Sequence, residues 1–122
     1  MKTTARAVVI GGGVVGVSTL YHLAKMGWSD VVLLERKELT SGSTWHAAGL
    51  LPLFNLSYSV GKLHQYSVGL YPSLEAETGL HAGFSQVTNI RLATTLDRMD
   101  EYHYYAGVAR TIGVNVNFLT PD

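Results

Sequence analysis

An α/β fold on a central parallel sheet is predicted by three features of this sequence. Val8-Val9-Ile10 runs straight into Gly11-Gly12-Gly13-Val14-Val15-Gly16, and a second apolar run, Val31-Val32-Leu33-Leu34, ends on Glu35. Between the runs, Leu20 and Leu23 fall at helical spacing on one face. Farther on, Met99, Tyr102, Ala106, Ala109 and Ile112 recur at helical spacing and form a candidate packed face. Strand, glycine turn, helix, strand and acid, in that order, describe a Rossmann-like βαβ unit.

The elements follow in order. Strands are predicted near 6–10 and 30–35, where the apolar runs lie, with a helix near 14–26 between them and Gly27 at its stop position. A second helix is predicted near 58–77, weakened by Gly61 and Gly69 and broken or kinked at Pro72. Segments 85–88 and 90–93 read as a short antiparallel excursion. A third helix spans about 97–112, with Asp97 near its start and Gly113 at its stop. Asn115-Val116-Asn117-Phe118-Leu119 alternates and is predicted to close a crossover unit beside the strand that ends at Glu35.

Each part of the first unit suits a dinucleotide. Gly11 lets the chain turn off the strand, Gly13 has no Cβ to block a diphosphate, and Gly16 lets the helix pack closely on the sheet. The helix opening at Val14 and Val15 aims its unpaired N–H groups and positive dipole end at the phosphates. Glu35 can accept hydrogen bonds from both hydroxyls of an adenosine ribose. It would repel the 2′-phosphate of NADP, a repulsion that Arg36 partly offsets. NAD and FAD, which share the ADP half, both remain.

The next segment separates them. Where a plain NAD domain continues into a crossover helix, residues 39–50 are Leu-Thr-Ser-Gly-Ser-Thr-Trp-His-Ala-Ala-Gly-Leu. Backbone N–H groups and the Ser43 or Thr44 hydroxyl can lie along a diphosphate, while Ala47, Ala48 and Gly49, ahead of Leu50, leave room for a flat ring system. At these residues the chain resembles the D-amino-acid oxidase superfamily of flavoproteins. Ser43-Thr44-Trp45-His46-Ala47-Ala48-Gly49-Leu50 is similar to the motif of the dimethylglycine and sarcosine dehydrogenases. Segments 83–87, 89–94, 98–102 and 119–122 are similar to that family in the same order, so the resemblance covers nearly the whole chain.

The resemblance implies an FAD-dependent enzyme that oxidises the C–N bond of N-methylated glycines by hydride transfer to flavin. Its substrate partner is then a small N-methyl amino acid, and its imine product is captured by water or by tetrahydrofolate bound in a C-terminal part. Glycine or D-amino-acid oxidase chemistry is the alternative, and a non-catalytic FAD-binding subunit is another. In that family the matching histidine carries FAD covalently on the flavin 8α carbon, which makes His46 the implied anchor. A neutral imidazole is an available nucleophile at neutral pH. Residues 1–122 then read as the N-terminal part of an FAD-binding domain, expected to bind FAD poorly alone, because a parallel sheet needs both faces covered.

The other chemistry-bearing residues suggest less. His22, His64, His81 and His103 make no cluster with metal-ligand spacing and read as core or solvated histidines, the last two in polar surroundings. There is no cysteine, hence no disulfide and no thiolate nucleophile. Ser41-Gly42-Ser43 lacks the strand-to-helix setting of a nucleophile elbow.

Nine basic and nine acidic residues give zero formal net charge, and hydrophobic content is 47%, which fits a globular protein and gives no sign of nucleic-acid binding. The cluster Tyr102-His103-Tyr104-Tyr105 reads as part of a packed helix rather than a base-stacking surface. Lys2 and Arg6 before an uncharged stretch resemble the start of a secretory signal, but the glycines and the acid at the right distance argue against one. A membrane span is excluded by the glycines together with Ser18, Thr19 and His22. The short lead before the first strand points to a cytoplasmic enzyme, with the mitochondrial matrix as the alternative.

Overall fold

The computed structural model describes residues 3–120, so Lys2 and the closing Pro121-Asp122 of the family-like segment lie outside it. The chain divides into two compact units, Met1–Leu50 and Leu51–Asp122.

The first unit is a strand, a helix and a strand. β1 (Ala7–Ile10) and β2 (Val31–Leu34) pair in parallel, Ala7 opposite Val31 through Ile10 opposite Leu34. α1 (Val14–Lys25) connects them. The period-2 pattern of the strand appears in β1, where Ala7 and Val9 are half-buried while Val8 and Ile10 are exposed. α1 stops because Gly27 takes φ +84°. That conformation lets the Gly27 N–H reach the Ala24 carbonyl at 2.9 Å and the Trp28 N–H reach Leu23 at 3.0 Å, the paired bonds of a Schellman end. Trp28 also carries the Arg6 guanidinium over its ring at 3.8 Å, and the Arg6 N–H donates to the Asp30 carbonyl at 3.0 Å, which ties the entry of β1 to that of β2.

The second unit packs two helices. α2 (Tyr58–Thr78) begins at Ser57, whose hydroxyl accepts from the Val60 N–H, and ends at Gly79 with φ +71°. Pro72 does not break it. The proline removes only the bond to the Val68 carbonyl, and a helix of 21 residues capped at both ends carries that local loss. α3 (Leu96–Thr111) begins at Thr95, whose hydroxyl accepts from the Arg98 N–H, and has Asp97 in its first turn. It closes like α1, with Gly113 at φ +81° and bonds from Gly113 to Arg110 and from Val114 to Ala109.

The predicted α3 face forms this unit's core. Ala106, Ala109 and Ile112 are almost fully buried, and Met99 and Tyr102 are half-buried. The small alanines let the helices approach, and Gly61 of α2 completes the seat. A Cβ at Gly61 would lie 2.5 Å from Ile112 Cδ1, and the Gln65 side chain donates to the Ile112 carbonyl at 2.9 Å. Gly61, which sequence reading counts as a weakness of α2, is therefore a helix-packing contact.

Three predicted strands are absent among the described residues: 85–88, 90–93 and 115–119 are irregular. A strand exists only where a neighbouring edge accepts its ladder bonds, and these segments are fixed by side chains instead. The Arg91 guanidinium donates to the Phe54 carbonyl at 3.0 Å and lies over the Phe54 ring, and the Tyr102 hydroxyl donates to the Leu92 carbonyl. Phe84 stacks on Tyr71, and Phe118 stacks on His103 with centroids 4.1 Å apart, so the setting of His103 is aromatic rather than polar. On α3 the Tyr105 hydroxyl donates to Glu101, which holds that carboxyl below its ordinary range and raises the Tyr105 phenol.

Two glycines of α2 should respond oppositely. Gly61→Val should lower stability by about 1–3 kcal/mol through overpacking against Ile112. Gly69→Ala, where an added Cβ meets nothing within 4 Å, should raise it by about 0.4–1 kcal/mol. Urea midpoints of the two variants check the pair, and equal effects would remove the packing role of Gly61.

Candidate cofactor site

The site grows out of the end of β1. Gly11 takes φ +105°, open to glycine and costly for other residues, and its N–H extends the ladder by donating to the Leu34 carbonyl at 2.8 Å. Gly12 is buried. Its N–H donates to Glu35 Oε2 at 2.6 Å and its carbonyl accepts from the Thr40 N–H at 2.9 Å. A Cβ on Gly12 would lie 2.5 Å from Leu39 Cδ2 and 3.1 Å from Glu35 Cβ. Sequence reading gave no task to Gly12 or Leu39. The signal was a third glycine in the run, at a position the fingerprint leaves open. At Gly16 a Cβ would fall on the Gly11 carbonyl oxygen, with Val9 Cγ1 at 3.4 Å, so glycine there allows the helix to start against the turn and strand.

Gly13 is the N-cap of α1 and has no side chain to cap it. Thr44 caps it instead: the Val14 N–H donates to Thr44 Oγ1 at 2.9 Å, and a Cβ on Gly13 would also sit 2.9 Å from that oxygen. Thr44 lies in a 3₁₀ turn, Ser43–His46, reached through Thr40, whose φ of +65° is uncommon for a β-branched residue. The hydroxyl-rich segment is thus laid against the start of α1, as its composition suggests.

Glu35 sits at the carboxyl end of β2. Its two oxygens accept from the Gly12 N–H at 2.6 Å and the Lys37 N–H at 2.9 Å. These bonds, Gly12's first, hold its carboxyl below the ordinary value of 4.5, with the exposed Arg36 adding a smaller lowering. A carboxylate offers about four lone-pair positions, so two remain for a ligand's hydroxyls.

The predicted residues divide into two sets. Gly11, Gly13, Gly16, Glu35 and Thr44 come together around the first N–H groups of α1. The side chains of Val14 and Val15 are exposed, and position 14 contributes its backbone N–H. Ser43 is exposed on the turn beside Thr44, Gly49 takes φ +70° with open space around it, and Leu50 is exposed. His46 lies on the same turn as Thr44. Its Nδ1 is 3.1 Å from the Gly42 carbonyl, and its Nε2 accepts from the Trp45 indole N–H at 3.1 Å.

The remaining histidines bond locally: His22 Nδ1 to the Ser18 carbonyl, His64 Nδ1 to the Pro52 carbonyl and His81 to Glu75. Among the described residues no group of three or more His, Cys, Asp or Glu could hold a metal ion, and no helix is long and apolar enough to cross a membrane. The glycine turn, the capping hydroxyl and the ribose-height carboxylate fit the ADP half of FAD. The space next to Gly13 is one that a Cβ would fill.

Comparison with known proteins agrees with this arrangement. The family model for FAD dependent oxidoreductases (DAO) matches residues 6–122. The chain is 57% identical to a mitochondrial dimethylglycine dehydrogenase of Rattus norvegicus, over 84% of this chain and 12% of that protein. It is 45% identical to a mitochondrial sarcosine dehydrogenase of Homo sapiens, over 99% of this chain and 13% of that one. It is 39% identical to a 4-methylaminobutanoate oxidase (formaldehyde-forming) of Paenarthrobacter nicotinovorans, over 100% of this chain and 15% of that protein. The chain therefore spans 12% to 15% of the length of these relatives. By the match across residues 6–122, it belongs to the FAD-dependent oxidoreductase family that includes the D-amino-acid oxidases.

Proposed function

We propose that these residues form the N-terminal part of a Rossmann-like FAD-binding domain in an enzyme that oxidises N-methylated amino acids of the dimethylglycine and sarcosine type. The observation that carries this reading is the meeting of Thr44 Oγ1 with the first N–H of α1, one residue from the glycine turn whose Gly12 N–H holds Glu35. The names of the three relatives, all acting on N-methyl amines, support the substrate class. The mitochondrial names of two of them favour the matrix over the cytoplasm.

In this reading Gly11 and Gly13 admit the diphosphate, and the N–H groups at Val14 and Val15 face it with the dipole of α1 behind them. Thr44 accepts from Val14 and keeps its own O–H to donate to a phosphate oxygen. Ser43 is the second hydroxyl at that place. Glu35 accepts from the ribose hydroxyls and keeps out a 2′-phosphate, while Gly49 and Leu50 border the ring system. Bound FAD supplies a two-electron acceptor for the hydride of an N-methyl carbon, and the resulting imine passes to water or to tetrahydrofolate held elsewhere in the longer protein.

His46 is the proposed covalent anchor. A ring nitrogen forms an N–C bond that replaces one C–H bond of the flavin 8-methyl group. The imidazole gives up its N–H proton and the methyl carbon one proton. The two electrons released enter the isoalloxazine with those protons, and a two-electron oxidant such as dioxygen then removes both.

Three outcomes test this reading in the longer protein. Gly13→Val should abolish FAD binding, because the new side chain meets Thr44 and fills the diphosphate's space; normal flavin content in that variant would remove the fingerprint from the argument. Stability should depend on Glu35 at low pH. A carboxyl lowered on folding stabilises the folded state above its unfolded value, so that contribution is complete at neutral pH and is lost as pH falls from about 4.5 through the lowered value. Glu35→Gln should flatten this acid limb in denaturation curves taken across that range. Acid denaturation of the wild type should leave flavin on a peptide containing Trp45-His46, whereas His46→Ala should release it all. Release from the wild type would end the covalent reading. A flavinylated protein that sarcosine and dimethylglycine fail to bleach would instead be a non-catalytic subunit, or an oxidase of glycine or D-amino acids if those bleach it.

A further inference from the structure

The two hydrogen bonds of the His46 ring have chemically unambiguous partners. A carbonyl oxygen can only accept, so the Nδ1 that lies 3.1 Å from the Gly42 carbonyl carries a proton. An indole N–H can only donate, so the Nε2 that lies 3.1 Å from Trp45 Nε1 carries the lone pair. Both contacts require the same neutral tautomer. The rings lie edge to face, centroids 5.6 Å apart at 69°, as an indole N–H aimed at a neighbouring nitrogen demands. Gly42 immediately precedes the 3₁₀ turn that His46 closes, so its carbonyl is placed by the backbone of the turn itself.

We infer that Trp45 and the Gly42 carbonyl are positioning groups for the bond between His46 and the flavin proposed above. The carbonyl keeps the proton on Nδ1 and so leaves the lone pair on Nε2. The indole N–H fixes the direction of that lone pair. Trp45 is 73% exposed, so little besides this bond holds its ring, and it can move aside when the 8-methyl carbon arrives. Fixing tautomer and ring orientation through the second nitrogen is how proteins commonly prepare an imidazole for one partner. Orientation of this kind acts on the rate of bond formation and leaves noncovalent affinity unchanged.

The inference rests on the covalent reading, and the test separates the two. Apoprotein of the full-length enzyme is mixed with FAD, and acid-stable flavin fluorescence is followed with time for the wild type, for Trp45→Phe and for protein carrying benzothienylalanine at position 45. That analogue keeps the shape of tryptophan with sulfur in place of the N–H. Attachment should slow about tenfold in both substituted proteins, a loss typical of a misoriented reacting group. Noncovalent FAD affinity, measured in a His46→Ala background with and without Trp45→Phe, should be the same. No acid-stable flavin in the wild type would overturn the covalent reading itself. Wild-type attachment with an equal rate for the sulfur analogue would overturn only the role of the indole N–H, and a fall in noncovalent affinity would make Trp45 a packing residue.

Discussion

The first unit depends on backbone donors that α1 cannot satisfy itself. A helix leaves its first N–H groups without intrahelical acceptors, and the glycine turn that precedes α1 adds the N–H of Gly12, buried and cut off from water. Glu35 and Thr44 come from two later segments and each takes one of these donors. The carboxylate thereby fixes the end of β2 against the turn, and the hydroxyl fixes the 3₁₀ turn against the helix. Residues distant in sequence converge on one helix start because an unpaired buried donor costs about 1–3 kcal/mol.

The same donors are what a diphosphate uses, so capping and ligand binding share one place. Thr44 serves both because a hydroxyl accepts and donates at once. Glu35 serves both because its two backbone bonds leave lone pairs free. A side chain that could only accept, such as aspartate at position 44, would cap the helix equally well and then repel the phosphate.

Where backbone geometry forces a residue type, the sequence was legible. Gly11, Gly27 and Gly113 each take a positive φ where a turn or helix stop was expected, and the α3 face from Met99 to Ile112 follows from spacing alone. Gly12 and Gly61 were not legible, because a glycine chosen for close approach looks the same as one chosen for flexibility. The strands expected at 85–88, 90–93 and 115–119 show the opposite limit. Alternation states which side chains share a face but not whether an edge is present to pair with, and here aromatic stacking and Arg91 hold those segments instead. The fingerprint residues converged as expected. Glu35's bond to Gly12 and the Trp45–His46–Gly42 contacts are local geometries that no pattern of residue types encodes.

The parallel pair joins segments only 24 residues apart, and everything that shapes the turn, from Gly11 to Thr44, lies in the first unit. In kinetic terms this is a low-contact-order element, closed by one short helix and able to form early. Its outer face, with Val8 51% and Ile10 85% exposed, is apolar and unshielded at that stage. A growing chain would therefore hold a formed nucleotide turn while still displaying a sticky sheet face, the kind of surface that recruits chaperones until later strands cover it.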